Sequence, residues 1–151
     1  MISKNYADVP LIKEITAVKR YLEIEKKRYE EKLQVEYNIA ANAEEYAIPS
    51  FLIHPLVENA VKYGMRTSVI PLKIIISATV KNEQLTITVS NTGSWVEQNT
   101  QNPFGNSTCT GLENIRKRLA NAYPDSHRLE IIKVKDKVTV IIEITKIHIP
   151  K

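Results

Sequence analysis

The chain has 151 residues, 43% of them hydrophobic, and its 21 basic and 17 acidic side chains give a net charge of +4. That length and apolar content suit one domain with its own core, and no dense Lys/Arg run interleaved with aromatics marks a nucleic-acid surface. The single cysteine, Cys109, excludes an internal disulfide and fits a reducing compartment; it has no CxxC or His partner for zinc, and no apolar run approaches a membrane span.

In chain order, Leu11, Ile15, Val18, Leu22, Tyr29 and Leu33 recur at helical spacings, predicting one long helix over Leu11–Leu33. Asp8 is a candidate cap, and Pro10 is tolerable in a first turn. Leu33, Val35, Tyr37 and Ile39 then alternate with polar residues as in a half-buried strand, and Ala41–Tyr46 reads as a loop or short turn. A brief turn over Phe51–Ile53 leads to a helix from about Pro55, ended by Gly64 as its C-terminal cap. Leu72–Val80 and Leu85–Val89 alternate around the turn-like Lys81–Gln84, predicting a hairpin. Ser94–Thr110 has little periodicity and reads as a long loop, and such loops are often lids. A second amphipathic helix follows over Gly111–Tyr123, then a hairpin of Leu129–Val134 and Lys137–Ile147 turning at Lys135-Asp136. The order favours an α+β fold: a two-layer α/β sandwich with a mixed, mostly antiparallel sheet and helices on one face.

The helix "HPLVENAVKYG", His54–Gly64, crowds Glu58, Asn59 and Lys62 onto one side. Such a face is either solvated or holds a ligand, and local sequence does not choose between them. The four glycines, Gly64, Gly93, Gly105 and Gly111, flank the polar helix, the long loop and the second helix. Each fits a turn; together they also fit close approach of backbone to a ligand. Thr108–Leu112 leads into a helix start whose unpaired N–H groups favour an anion, with Arg116 and Arg118 within two turns.

"LVENAVKYG" resembles the N box of the Bergerat-fold ATP-binding domains shared by sensor histidine kinases and DNA gyrase. "VSNTG" stands where that superfamily has its first glycine box, and "TGLENIRKRL" resembles the second and the helix after it. Together with "YLEIEKKRY", these motifs make the chain similar to the LytS-type sensor histidine kinases, from about Leu11 to Ile144. The resemblance implies Mg²⁺ and ATP as cofactors, with Asn59 as the metal-coordinating and Lys62 as a phosphate-contacting catalytic residue. Tyr63 would lie beside the nucleotide. Asn91 would accept from the adenine amino group, and Gly93 would let the backbone approach the purine. Thr110, Gly111 and Leu112 would face the phosphates, with Arg116 or Arg118 neutralising charge and Ser94–Thr110 closing as a lid.

Three departures qualify this. Asn91 replaces the family's aspartate, so its hydrogen bond lacks charge assistance, and Asn91→Asp is expected to tighten adenine binding. Ser107 and Cys109 stand where glycines are common. Pro55 replaces the glutamate that activates water in gyrase-like enzymes, which argues against efficient hydrolysis. His54, His127 and His148 all lack the context of a phosphoacceptor histidine.

The chain therefore reads as a single ATP-binding catalytic domain, residues 1–151, with residues 1–33 leading in from an upstream dimerisation and phosphoacceptor segment. The resemblance further implies a response regulator as partner, a homodimeric full-length protein anchored in the bacterial inner membrane, and a cytoplasmic catalytic domain. A nucleotide-binding regulatory module with weak or no kinase activity, and an anti-sigma-type protein serine kinase, are the alternatives.

Overall fold

The computed structural model describes residues 8–94 and 106–145, with backbone alone for 106–111. The elements are β1 (Asp8–Pro10), α1 (Leu11–Tyr29), β2 (Leu33–Ile39), β3 (Ala47–Pro49), α2 (His54–Thr67), β4 (Leu72–Lys81), β5 (Gln84–Thr92), α3 (Asn106–Ala122), β6 (His127–Val134) and β7 (Lys137–Ile144).

Five strands form a sheet in the order β2-β4-β5-β7-β6. Only β2 and β4 are parallel, and α2 lies in the crossover that parallel pairing requires. The remaining neighbours are antiparallel hairpin partners or β5 against β7. Asn82 and Glu83 take φ values of 51° and 63°, the left-handed pair that matches a two-residue turn to strand twist.

The period-two alternation predicted from sequence sets the inner face. Leu33, Leu72, Ile74, Ile76, Ala78, Leu85, Ile87, Val89, Ile142 and Ile144 are all buried. Against them pack Leu11, Ile15, Val18 and Leu22 of α1, Leu56, Val57 and Val61 of α2, and Ile115 and Leu119 of α3, in one cluster. The opposite face carries Ser77, Thr88, Ser90 and Thr139; Ser77 hydrogen-bonds to Thr88 and Thr139 to Ser90. The result is the expected α+β two-layer sandwich with its helices on one face.

Several boundaries differ from the sequence expectation. The first helix ends at Tyr29, where Glu30 takes φ 56°, and a 3₁₀ turn over Glu30–Lys32 precedes β2. Asp8 does not cap it. Asp8 belongs to β1, which pairs with β3, and the Leu11 and Ile12 N–H groups donate to Tyr46 and Glu44 carbonyls at 2.9 Å each. Gly64 is not a C-terminal cap. It lies inside α2, which runs on to Thr67 and ends where Ser68 N–H donates to Gly64 O at 2.8 Å. The second helix starts at Asn106 instead of Gly111, so only residues 95–105 of the proposed lid fall outside the described residues, as do Ile147 and His148.

Candidate functional site

One face of α2 looks across a cleft at the inner face of the sheet. Leu56, Asn59, Ala60 and Tyr63 form its α2 wall, and Val89 and Asn91 of β5 form its base. Val138 and Val140 of β7, Leu112 of α3 and Ser94 complete it. Residues 56, 59, 60 and 63 are one stripe at helical spacing, so the amphipathic pattern that buries α2 also aims Asn59 and Tyr63 into the cleft. The enclosed part is about 40 Å³. A typical ligand pocket is roughly 300–1,000 Å³, so the enclosed part of this cleft is small by comparison.

The lining is apolar apart from the carboxamides of Asn59 and Asn91, the Tyr63 hydroxyl and Ser94. Asn91 is 8% exposed, and its Nδ2 donates to Thr92 O at 2.7 Å. That bond fixes the amide: a flipped group would set two carbonyl oxygens against each other. Oδ1 is therefore the pole that remains to accept a hydrogen bond. It also removes the basis for expecting Asn91→Asp simply to tighten binding, because a carboxylate oxygen would replace the donor facing Thr92 O.

Glycine places Asn91 against α2. A Cβ on Gly64 would lie 2.5 Å from Leu72 Cδ1 and 3.3 Å from Asn91 Nδ2, so a side chain there would press on both. Gly93 serves packing. It takes φ 117°, its N–H donates to Asp136 O at 2.9 Å, and a Cβ would overlap Thr67 Oγ1 and come within 3.2 Å of Ser68 N. Thr67 Oγ1 in turn accepts from Ser94 N–H at 2.9 Å and donates to Tyr63 O at 2.9 Å.

The other anticipated residues divide. Asn59, Tyr63, Asn91 and Leu112 meet at the cleft. Lys62 is exposed on α2 next to it, and its Nζ sits 5.4 Å from the Tyr63 ring centroid, with the Arg66 guanidinium 5.8 Å from the same ring. Thr110 and Gly111 lie inside α3 and not at a helix start, so the free N–H groups expected there belong to an earlier turn. Arg116 is exposed. Arg118 is about three turns from Asn106 and donates from Nη1 to Phe51 O at 2.7 Å, which places it at the start of α2 and not at the start of its own helix.

Sequence reasoning passed over Val89, Val138 and Val140, whose alternation marked them only as core. It also passed over Glu14. The signal was present, since Glu14 falls in the apolar stripe of Leu11, Ile15, Val18 and Leu22 and is 6% exposed.

No family model matches the chain. Over 133 residues, 88% of the chain, it is 29% identical to the sensor histidine kinase BtsS of Escherichia coli. Over 149 residues, 94% of the chain, it is 31% identical to the sensor protein LytS of Staphylococcus haemolyticus. The chain spans about a quarter of these curated relatives, 23% of the former and 25% of the latter. The catalytic domain of the histidine kinase ThkA superposes with a TM-score of 0.65 at 17% identity, covering 95% of this chain and 98% of that one. Full-length ShkA in complex with AMPPNP gives 0.62 at 16% identity, covering 99% of this chain and 32% of that one. The relatives of this chain are thus LytS and BtsS sensor histidine kinases, and its fold is that of the histidine kinase catalytic domain.

Proposed function

We propose that the chain binds Mg·ATP in the cleft between α2, α3 and the sheet and acts as the catalytic domain of a two-component sensor histidine kinase. The observation that carries this is Asn91, a nearly buried carboxamide held with its oxygen available at the base of an otherwise apolar cleft. Apolar walls suit the faces of a purine, and one fixed acceptor suits its exocyclic amine. AMPPNP in the structurally similar ShkA complex supports the same ligand class.

Asn59 fits the metal role by chemistry. Its neutral oxygen is a suitable ligand for a hard cation that keeps waters and phosphate oxygens as its other ligands. Among the described residues no group of three or more His, Cys, Asp or Glu could cage a metal, so the cation would arrive with the nucleotide. Bound Mg·ATP supplies the γ-phosphoryl group; the chain's task is positioning and charge neutralisation. Tyr63 lies on the same wall as Asn59, and Lys62 adds positive charge beside it. Thr110, Gly111 and Arg116 of α3 stand as further phosphate-side candidates.

In the intact protein the acceptor would be a histidine of an upstream dimerisation segment, and the phosphoryl group would pass to a response-regulator aspartate. We place that protein as a homodimer anchored in the bacterial inner membrane, with this domain in the cytoplasm. No described helix is long and apolar enough to cross a membrane. The regulatory-module reading has one observation in its favour: Arg118 is engaged with Phe51 O, which leaves fewer cations at the cleft. Mixing the chain with a separately made acceptor segment and Mg·ATP decides between them. Acid-labile phosphohistidine on the segment is the expected result; nucleotide binding without any phosphotransfer supports the regulatory module.

A further inference from the structure

Glu14 is the one buried charged side chain among the described residues, and it sits on α1 with its partners in another element. Its Oε1 accepts from Phe51 N–H at 3.1 Å, and its Oε2 accepts from Ile53 N–H at 3.1 Å and His54 N–H at 3.2 Å. These amides lie at the start of α2, whose own N-cap residue, Ile53, has no side-chain oxygen to offer. A helix start needs acceptors for its free N–H groups and favours negative charge. Here both are supplied by a residue nearly forty positions earlier.

The same turn is held from the opposite side. Arg118 of α3 donates to Phe51 O at 2.7 Å. Phe51 takes φ 61°, left-handed for an aromatic residue, a conformation that persists when its surroundings over-determine it. α1 therefore grips the N–H groups of this turn and α3 grips its carbonyl. Asn59 lies five residues beyond His54 on the same rigid helix, about 7.5 Å along its axis. α1 contributes nothing to the cleft lining, yet it fixes the start of the helix that forms one wall.

We propose that Glu14 and Arg118 are positioning residues for the cleft: they clamp the Phe51–His54 turn so that the placement of α1 and α3 sets the placement of Asn59. This rests on the nucleotide reading only for its functional consequence. A displacement of α1 would reach the cleft through Glu14, without any contact between α1 and the ligand.

The test is Glu14→Gln, which keeps the size but presents an amide donor to backbone donors. Hydrogen exchange of the Phe51, Ile53 and His54 amides in the ligand-free protein is expected to speed up roughly tenfold, with a shift of the Asn59 side-chain amide resonance, and Mg·ATP binding to weaken roughly tenfold. Glu14→Asp, which keeps the carboxyl but shortens its reach, is expected to fall between native and Gln in both readouts. A Gln variant that loses thermal stability while its nucleotide affinity and Asn59 resonance stay native overturns the proposal. If native protein takes up no Mg·ATP, the nucleotide reading fails, and the ligand-free exchange and Asn59 resonance still decide the clamp. If the Gln variant does not fold, the Asp variant carries the same comparison.

Discussion

The two ends of α2 are held by different chemistry. At its start, a carboxyl from α1 and a guanidinium from α3 hold a turn by hydrogen bonds. At its end, close approach does the work: Gly64 lies against Leu72 and Asn91, and Gly93 against Thr67 and Ser68. Hydrogen bonds to long side chains can lengthen or exchange partners, whereas a sub-contact glycine admits no larger residue without moving its neighbours. The Asn91 base of the cleft is thus the sterically fixed end, and the Asn59 side is the end that can respond to its surroundings.

The largest effect expected from this contrast is at Gly93. Gly93→Ala combines a φ of 117° with overlap on Thr67 Oγ1, and should lower the unfolding free energy by about 2–4 kcal/mol in urea titrations. A loss under about 1 kcal/mol would mean that this end is looser than its packing implies. Gly64→Ala comes next. Crowding of Leu72 costs roughly 1–3 kcal/mol, offset by about 1 kcal/mol of helix propensity, so the net loss is smaller. Because the new Cβ also presses on Asn91, nucleotide affinity should fall with it. Unchanged affinity would detach Asn91 from base recognition. Asn91→Asp follows, with a loss of about 1–2 kcal/mol of stability where the carboxylate meets Thr92 O. A gain in stability would show that the Thr92 contact is not holding the amide.

The last effect is one of pH. Burial, followed by Glu25 and Glu58, raises Tyr21 to about 12. Burial, followed by Glu23 and by Asp8 respectively, does the same for Tyr37 and Tyr123. Their pKa in the folded state exceeds the unfolded value of about 10, so their stabilisation is complete below pH 10 and is lost as pH rises toward 12. Urea midpoints should fall across that window as tyrosinate absorbance appears; a flat midpoint would contradict it.

Much of this was legible from residue order. The strands β4, β5 and β7 were readable because period-two alternation runs through most of their length, and α2 because apolar residues recur along it at helical spacing. The three-residue strands β1 and β3 are too short to show a period. Asn106–Thr110 is rich in Ser, Thr and Asn, which favour caps and turns when alone, so the first turns of α3 read as loop. Gly64 looked like a cap because the reason for it, Leu72, lies across the core and not along the helix. Glu14 was visible as a charge on an apolar stripe, but its partners at Phe51–His54 could be found only in the fold.

The most direct test is a calorimetric titration of Mg·ATP into the native chain and into Asn59→Ala, each repeated with the metal chelated. The account predicts saturable binding to the native chain that weakens on chelation, and weak binding to the variant that chelation leaves unchanged. No heat of binding at millimolar nucleotide, or a variant with native metal dependence, would contradict it.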